Sequence, residues 1–231
     1  MTTEIPRTLR VLWGEPARPA GRGLSRERIV AAAIALADAD GIAALSMARL
    51  AERLGSAPMS LYRHVANKDE LLVFMMDAAP GPPPELPAGD WRAALEAWAW
   101  ALRGVYYAHP WILQVTAGRP PLEPGQLGWL DRGLSALEGT SLNHADRFEA
   151  VMTVLHFVRG EAQIGAVLLL AGPPAEYGGL LAHFVTEERM PALAAAAAAG
   201  IFAPDAGRSA EESFAFGLTR ILDGVNVLLT G

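Results

Sequence analysis

Cysteine is absent from the 231 residues, which excludes disulfide bridges and thiolate-ligated zinc. No apolar run is long enough to cross a bilayer. The strongest, Ile164 to Ala171, is stopped by Gly172-Pro173-Pro174, well short of the roughly 20 residues a span requires. Residues 1–24 lack the continuous apolar segment of a secretory signal and set Arg7, Arg10, Arg18 and Arg22 among prolines. A cytoplasmic protein without a membrane partner is expected. There is no HExxH pair and no glycine-rich phosphate loop, and the five histidines are scattered. An enzyme is disfavoured, and no catalytic residue, cofactor or metal site is expected.

What is abundant is alanine within a 52% hydrophobic composition, and alanine suits helices far better than strands. The expected fold is therefore all-α, with a small N-terminal helical unit followed by a larger one. The net charge of −6 divides unevenly: residues 1–75 carry ten Lys and Arg against eight Asp and Glu, and the remainder carries nine against seventeen. A mildly basic head on an acidic body fits a molecule that meets phosphate at one end only, although chance unevenness gives the same split.

Residues 1–24, rich in Pro, Gly and Arg, read as a flexible basic arm. From Ser25, apolar residues recur at helical spacing (Ile29, Ala33, Ile34, Leu36) until Asp40-Gly41. Ser46 opens a two-turn helix to Leu54, with Gly55 behind it, and Pro58 starts a third short helix that turns Leu61 and Val65 inward. A fourth begins near Asn67 and runs to Ala79. Pro80-Gly81-Pro82-Pro83-Pro84 then makes a stiff connector, so residues 25–79 and 80–231 are expected to be separate domains. Beyond it, helices are predicted at 90–108, 110–116, 124–138, 143–170, 177–199 with an interruption at Pro191, and 209–229.

Two short helices joined through Gly55, with small Ala51 at their crossing, have helix-turn-helix spacing, placing a duplex-DNA reader over residues 24–68. The string Gly41-Ile42, Leu45-Ser46, Leu50-Ala51, Leu54-Gly55, Ser60-Leu61-Tyr62-Arg63-His64-Val65 and Asn67-Lys68-Asp69-Glu70-Leu71-Leu72 resembles the DNA-binding domain of the tetracycline-repressor (TetR) family, without a gap from Leu24 to Met76. Ala108-His109-Pro110-Trp111, Gly118-Arg119-Pro120-Pro121 and the stretch from Phe214 to Leu229 resemble the C-terminal domain of its tetracycline-repressor branch. The resemblance implies a homodimeric repressor that leaves a palindromic operator when a small molecule fills a pocket. A regulator, repressor or activator, with no small-molecule inducer is the alternative.

By that resemblance the phosphate-facing residues are Met47, Ser60, Arg63, His64 and Lys68, beside the capping Ser46, and Ala48, Pro58, Met59 and Tyr62 reach base edges. Of these, Lys68 and Arg63 are the charge donors, and Lys68 is the chain's only lysine. The base-facing set offers few donors or acceptors, so apolar contact with thymine methyl groups must carry more of the readout. His64 serves equally well as a packed histidine.

In the last helix Phe214, Leu218, Ile221, Leu222, Val225, Leu228 and Leu229 form a stripe beside Gly217 and Gly224, and the 143–170 helix has a similar face with Phe148, Met152, Leu155 and Ala162. The resemblance implies that these stripes pair across a two-fold axis. Trp98, Trp100, Trp111, Trp129, Met152 and Phe157 are candidates to line a pocket, with Gln114, His156, Gln163 and His183 as polar groups, although aromatics at this spacing serve equally as plain core. Tetracycline-binding relatives hold magnesium with a histidine and an acid. Here Val115 and Ile164 stand at those positions, which favours a hydrophobic or aromatic effector instead.

Overall fold

The computed structural model describes residues 4–14, 24–115, 121–171, 177–201 and 209–230, and every regular element among them is helical. The head forms as its caps dictate. Ser25 accepts the Arg28 amide and opens α2 (Arg26–Asp40), which ends at Gly41. A 3-10 turn (Ile42–Ala44) leads to Ser46, whose hydroxyl caps α3 (Met47–Arg53) from the Arg49 amide at 3.2 Å. Gly55, at φ 61°, takes the left-handed conformation that reverses the chain into α4 (Pro58–Leu61). Asn67 then caps α5 (Lys68–Ala78) through the Glu70 amide at 2.8 Å. Ile29, Ala33, Leu36, Leu45, Leu50, Ala51, Leu61, Val65 and Leu71 close the core of this unit.

The first residues differ from the flexible arm expected of them. Arg7–Trp13 is a helix, α1, packed along α5 with Leu9 buried and Val11 and Leu12 against the core. About two turns leave too few residues for a period to show, and the surface that stabilises them lies on α5, far along the chain. Residues 1–3 and 15–23 lie outside the described residues.

The body consists of α6 (Trp91–Ala108), α7 (Ile112–Val115), α8 (Pro124–Ser135), α9 (His144–Ala171), α10 (Tyr177–Phe184), α11 (Pro191–Ala198) and α12 (Ala210–Thr230). Helix α9 lies between α6 and α12, and α8 packs against α5, α6 and α9. The buried side chains form one cluster from Ile29 to Val225, so head and body share a core through α5. Trp98 sits at the centre. It fits because Gly133 has no side chain: a Cβ there would stand 2.9 Å from the indole Cε2. Its Nε1 donates to the Trp129 carbonyl at 2.8 Å, and Trp129 in turn donates to the Gly81 carbonyl at 2.9 Å, pinning the proline connector to α8.

Two expectations are corrected here. The stretch expected over 177–199 with an interruption at Pro191 is two helices, and the interruption is longer than expected: residues 185–190 turn where the Thr186 carbonyl accepts the Arg189 and Met190 amides, and Pro191 starts α11. The stripe of α12 expected at a two-fold interface faces inward. Phe214, Leu218, Leu222 and Val225 are buried within the protomer, and Phe148 and Met152 of α9 face a cavity. Of the expected stripes only Leu228 and Phe148 stay exposed, and beside them α9 and α12 expose Ile164, Phe216 and Val227. Helical spacing identifies an apolar face without saying which neighbour covers it.

Candidate functional site

The outer surface of the head is made by α4 and the start of α3. Leu61 and Val65 anchor α4 inward, which leaves Pro58, Met59, Tyr62 and Arg63 exposed, Met59 at 72%. Ala48 is exposed on α3. Ser46 is exposed but engaged in its cap, and Met47, Ser60 and His64 are half-buried, Met47 packing on the core. Lys68 is exposed, and its ammonium donates to the Leu45 carbonyl at 2.8 Å. That bond bridges the start of α5 to the residue before the Ser46 cap of α3. Two further ammonium protons remain for an anion.

A cavity of about 770 Å³ lies where α5 meets the body. Helix α5 contributes Leu72, Val73 and Met76; α6 contributes Trp98, Leu102, Val105 and Tyr106; α8 and α9 supply Trp129, Leu130, Phe148, Met152 and Leu155. Polar groups are few: Asp69, Glu123, Gln126, Tyr106 and Arg159. The volume and lining suit an apolar, ring-bearing molecule held by a small number of hydrogen bonds.

Three of the expected pocket residues meet here: Trp98, Trp129 and Met152. The others do not. Trp100 packs edge-on against Phe214 with ring centres 4.6 Å apart, and Phe157 stacks on the same ring at 5.4 Å. Trp111 is buried elsewhere and donates to Asp38 Oδ1 at 2.7 Å. Gln114, His156, Gln163 and His183 are exposed to solvent. Val115 lines the cavity, Ile164 is 67% exposed, and among the described residues no acidic or histidine cluster converges as a metal site would. Residues 116–120, which carry most of the Gly118-Arg119-Pro120-Pro121 motif, lie outside the described residues. Sequence reasoning missed Tyr106, Arg159 and the α5 wall. The α5 residues have the i, i+3, i+4 spacing that would have flagged them, but that spacing also fits burial inside the head.

The head meets the body at two polar contacts. Asp38, near the end of α2, takes His109 Nδ1 at 2.8 Å and Trp111 Nε1 at 2.7 Å on one carboxylate oxygen. Asp77, near the end of α5, accepts the Gly125 amide at 2.6 Å in the first turn of α8. Burial pushes the Asp77 carboxyl above the usual carboxylate range; the Gly125 bond opposes this and nearby Glu123 adds to it. Burial likewise raises the Tyr106 phenol, with Arg159 acting against it.

Because the folded protein holds the Asp77 proton more tightly than the unfolded chain does, this group's stabilisation is complete below about pH 4 and is lost as pH rises through the raised folded value. Asp77→Asn cannot titrate. Its stability relative to the parent should therefore grow as pH is raised from about 4 to 7. Chemical denaturation across that range checks this, and a flat or shrinking difference would refute it.

Against known proteins, residues 29–73 match the family described as bacterial regulatory proteins, tetR family, and residues 83–229 match the tetracyclin repressor-like C-terminal domain. The HTH-type transcriptional repressor DrrR1 of Streptomyces coeruleorubidus is 36% identical, over 98% of this chain and 87% of its own length. The class C tetracycline repressor protein of Escherichia coli is 30% identical over 63% of the chain and 65% of its own length. Among solved structures, the Streptomyces coelicolor TetR family protein ActR in complex with actinorhodin is 27% identical, with a TM-score of 0.74 over 90% of this chain and 100% of that one. Apo ActR gives a TM-score of 0.72 over 89% and 96%.

Proposed function

The chain belongs to the TetR family of transcriptional regulators, and from that premise we propose that it is a repressor that binds a palindromic operator as a homodimer and releases it when a small hydrophobic or aromatic molecule fills the cavity. Such a protein works in the cytoplasm, where its operator is. One observation carries the reading. Leu72, Val73 and Met76 of α5 form a wall of the cavity, while the other end of the same helix holds the head through Lys68 and buried Glu70.

A ligand acts only through a difference in affinity for two states of the protein. Filling the cavity presses on α5, and a tilt of that helix changes the spacing of two α4 helices that must reach successive major grooves about 34 Å apart. The bound ActR structure supports a ligand-holding cavity in this fold. The exposed Ile164, Phe216, Val227 and Leu228 support pairing of two copies through α9 and α12, since apolar side chains on a helix face favour coverage by a partner.

Phosphate contact falls to Arg63 and Lys68, with Ser46, Met47, Ser60 and His64 around them, and base contact to Ala48, Pro58, Met59 and Tyr62. Footprinting on DNA flanking the protein's own gene tests the whole reading: a two-fold symmetric protected site is expected, and no protection anywhere would end it. On that site Lys68→Ala should weaken binding about equally for all operator variants and lower the slope of log affinity against log salt by about 1. A loss confined to particular operator sequences would remove Lys68 from the phosphate contacts.

A further inference from the structure

Helix α1 runs beside α5 and is fastened at both of its own ends. At one end Arg7 pairs with Glu70, a carboxylate only 6% exposed, and the other oxygen of Glu70 accepts the Ala66 amide at 2.5 Å in the turn that follows α4. At the other end Trp13 Nε1 donates to the Leu122 carbonyl at 2.9 Å, although the Trp13 side chain is 60% exposed. The Leu122 amide donates to Glu123, and Pro121 and Glu123 both line the cavity. Between the two ends, Leu9, Val11 and Leu12 hold α1 against the core. Its seven residues span about 10 Å and the eleven of α5 about 16 Å, so the two helices make comparable struts between the same two regions.

We propose that α1 is a strap that couples the cavity rim at residues 121–123 to the turn behind α4, a second mechanical route parallel to α5. A molecule that displaces the rim moves the Leu122 carbonyl and with it Trp13. A short helix with no internal glycine or proline passes that displacement to Arg7, and the Glu70 carboxylate passes it to the Ala66 amide. An apolar cover for α5 would need Leu9 and Leu12 but neither terminal bond. The regulatory meaning of the strap rests on the cavity and α4 having the roles proposed above, whereas the strap itself is tested with neither ligand nor DNA.

The test is hydrogen exchange read by mass spectrometry on the full chain. Trp13→Phe keeps an aromatic ring and removes the donor. Relative to α9 core peptides, which report global opening, it should speed exchange in residues 64–71, at the far end of α1, by roughly threefold to tenfold, the factor for losing one hydrogen bond. Arg7→Met should do the same to residues 121–127. Acceleration confined to the end that carries the substitution, or spread evenly over all peptides, would overturn the strap.

Discussion

Trp98→Ala is expected to cost about 3–5 kcal/mol of folding stability, the range for removing a fully buried tryptophan. The indole is 0% exposed and fills the space that Gly133 leaves open, where an added Cβ would meet both Trp98 and Val151. Truncation would enlarge the existing cavity instead of allowing collapse, because the surrounding walls belong to five different helices. It would also remove the hydrogen bond from the indole Nε1 to the Trp129 carbonyl, worth about 1 kcal/mol. Trp98→Phe should lose less, keeping most of the packing and giving up the hydrogen bond. Urea unfolding at one fixed protein concentration measures both, since the proposed pairing of chains would make the midpoint concentration-dependent. A loss below about 1 kcal/mol for the alanine variant would mean that the indole is not the keystone of the body.

The second large effect should come from Arg103→Leu. The guanidinium side chain is 9% exposed and meets Glu161 through two bonds, Nε to Oε2 and Nη2 to Oε1, each 3.1 Å. Tyr107 joins the pair, accepting from Arg103 at 3.0 Å and donating to Glu161 at 3.0 Å. The rings of Tyr107, Phe214 and Trp100 surround the charge, with centres 4.1, 5.1 and 5.6 Å from its carbon. Burial alone would make the guanidinium easier to deprotonate, but the bonds to Glu161 outweigh it and hold the proton more firmly than usual.

Removing only the arginine leaves the Glu161 carboxylate with Tyr107 as its remaining partner in a mostly apolar setting, which should cost about 3 kcal/mol, the lower end for breaking a buried pair. The double substitution Arg103→Leu with Glu161→Leu should recover much of that, because an apolar pair of similar volume escapes the desolvation penalty. Double-mutant-cycle unfolding decides it, and losses that simply add would show that the pair is not coupled.

The head was largely legible in the sequence because its signals are local. Ser25, Ser46 and Asn67 each cap the helix that follows, and Gly41 and Gly55 take up the left-handed conformations their positions require. The body was legible as helices but not as surroundings. Trp98 and Trp100 stand two residues apart, about 200° around α6, so one lines the cavity and the other meets Phe214. The sequence contains that angle but not the identity of the helix waiting at each end of it. Trp111 illustrates the same limit: its buried ring is claimed by Asp38, distant in sequence, and not by the cavity. The interruption at Pro191 was legible, but not its start after Phe184, because the turn depends on the Thr186 carbonyl and no residue spacing announces it. Helix α1 escaped notice because the surfaces that hold it, α5 and the Leu122 carbonyl, lie far along the chain.

Lys68 also gives the molecule a chemical handle. It is the sole lysine, so apart from the α-amino group, an acylating reagent has one nitrogen to attack, and that nitrogen spans the junction of α5 with the segment leading into α3. Neutralising it subtracts a charge and loosens the Leu45 carbonyl in the same event. A fluorophore attached there would sit at the threshold of the groove-facing surface, with no second lysine to blur its signal.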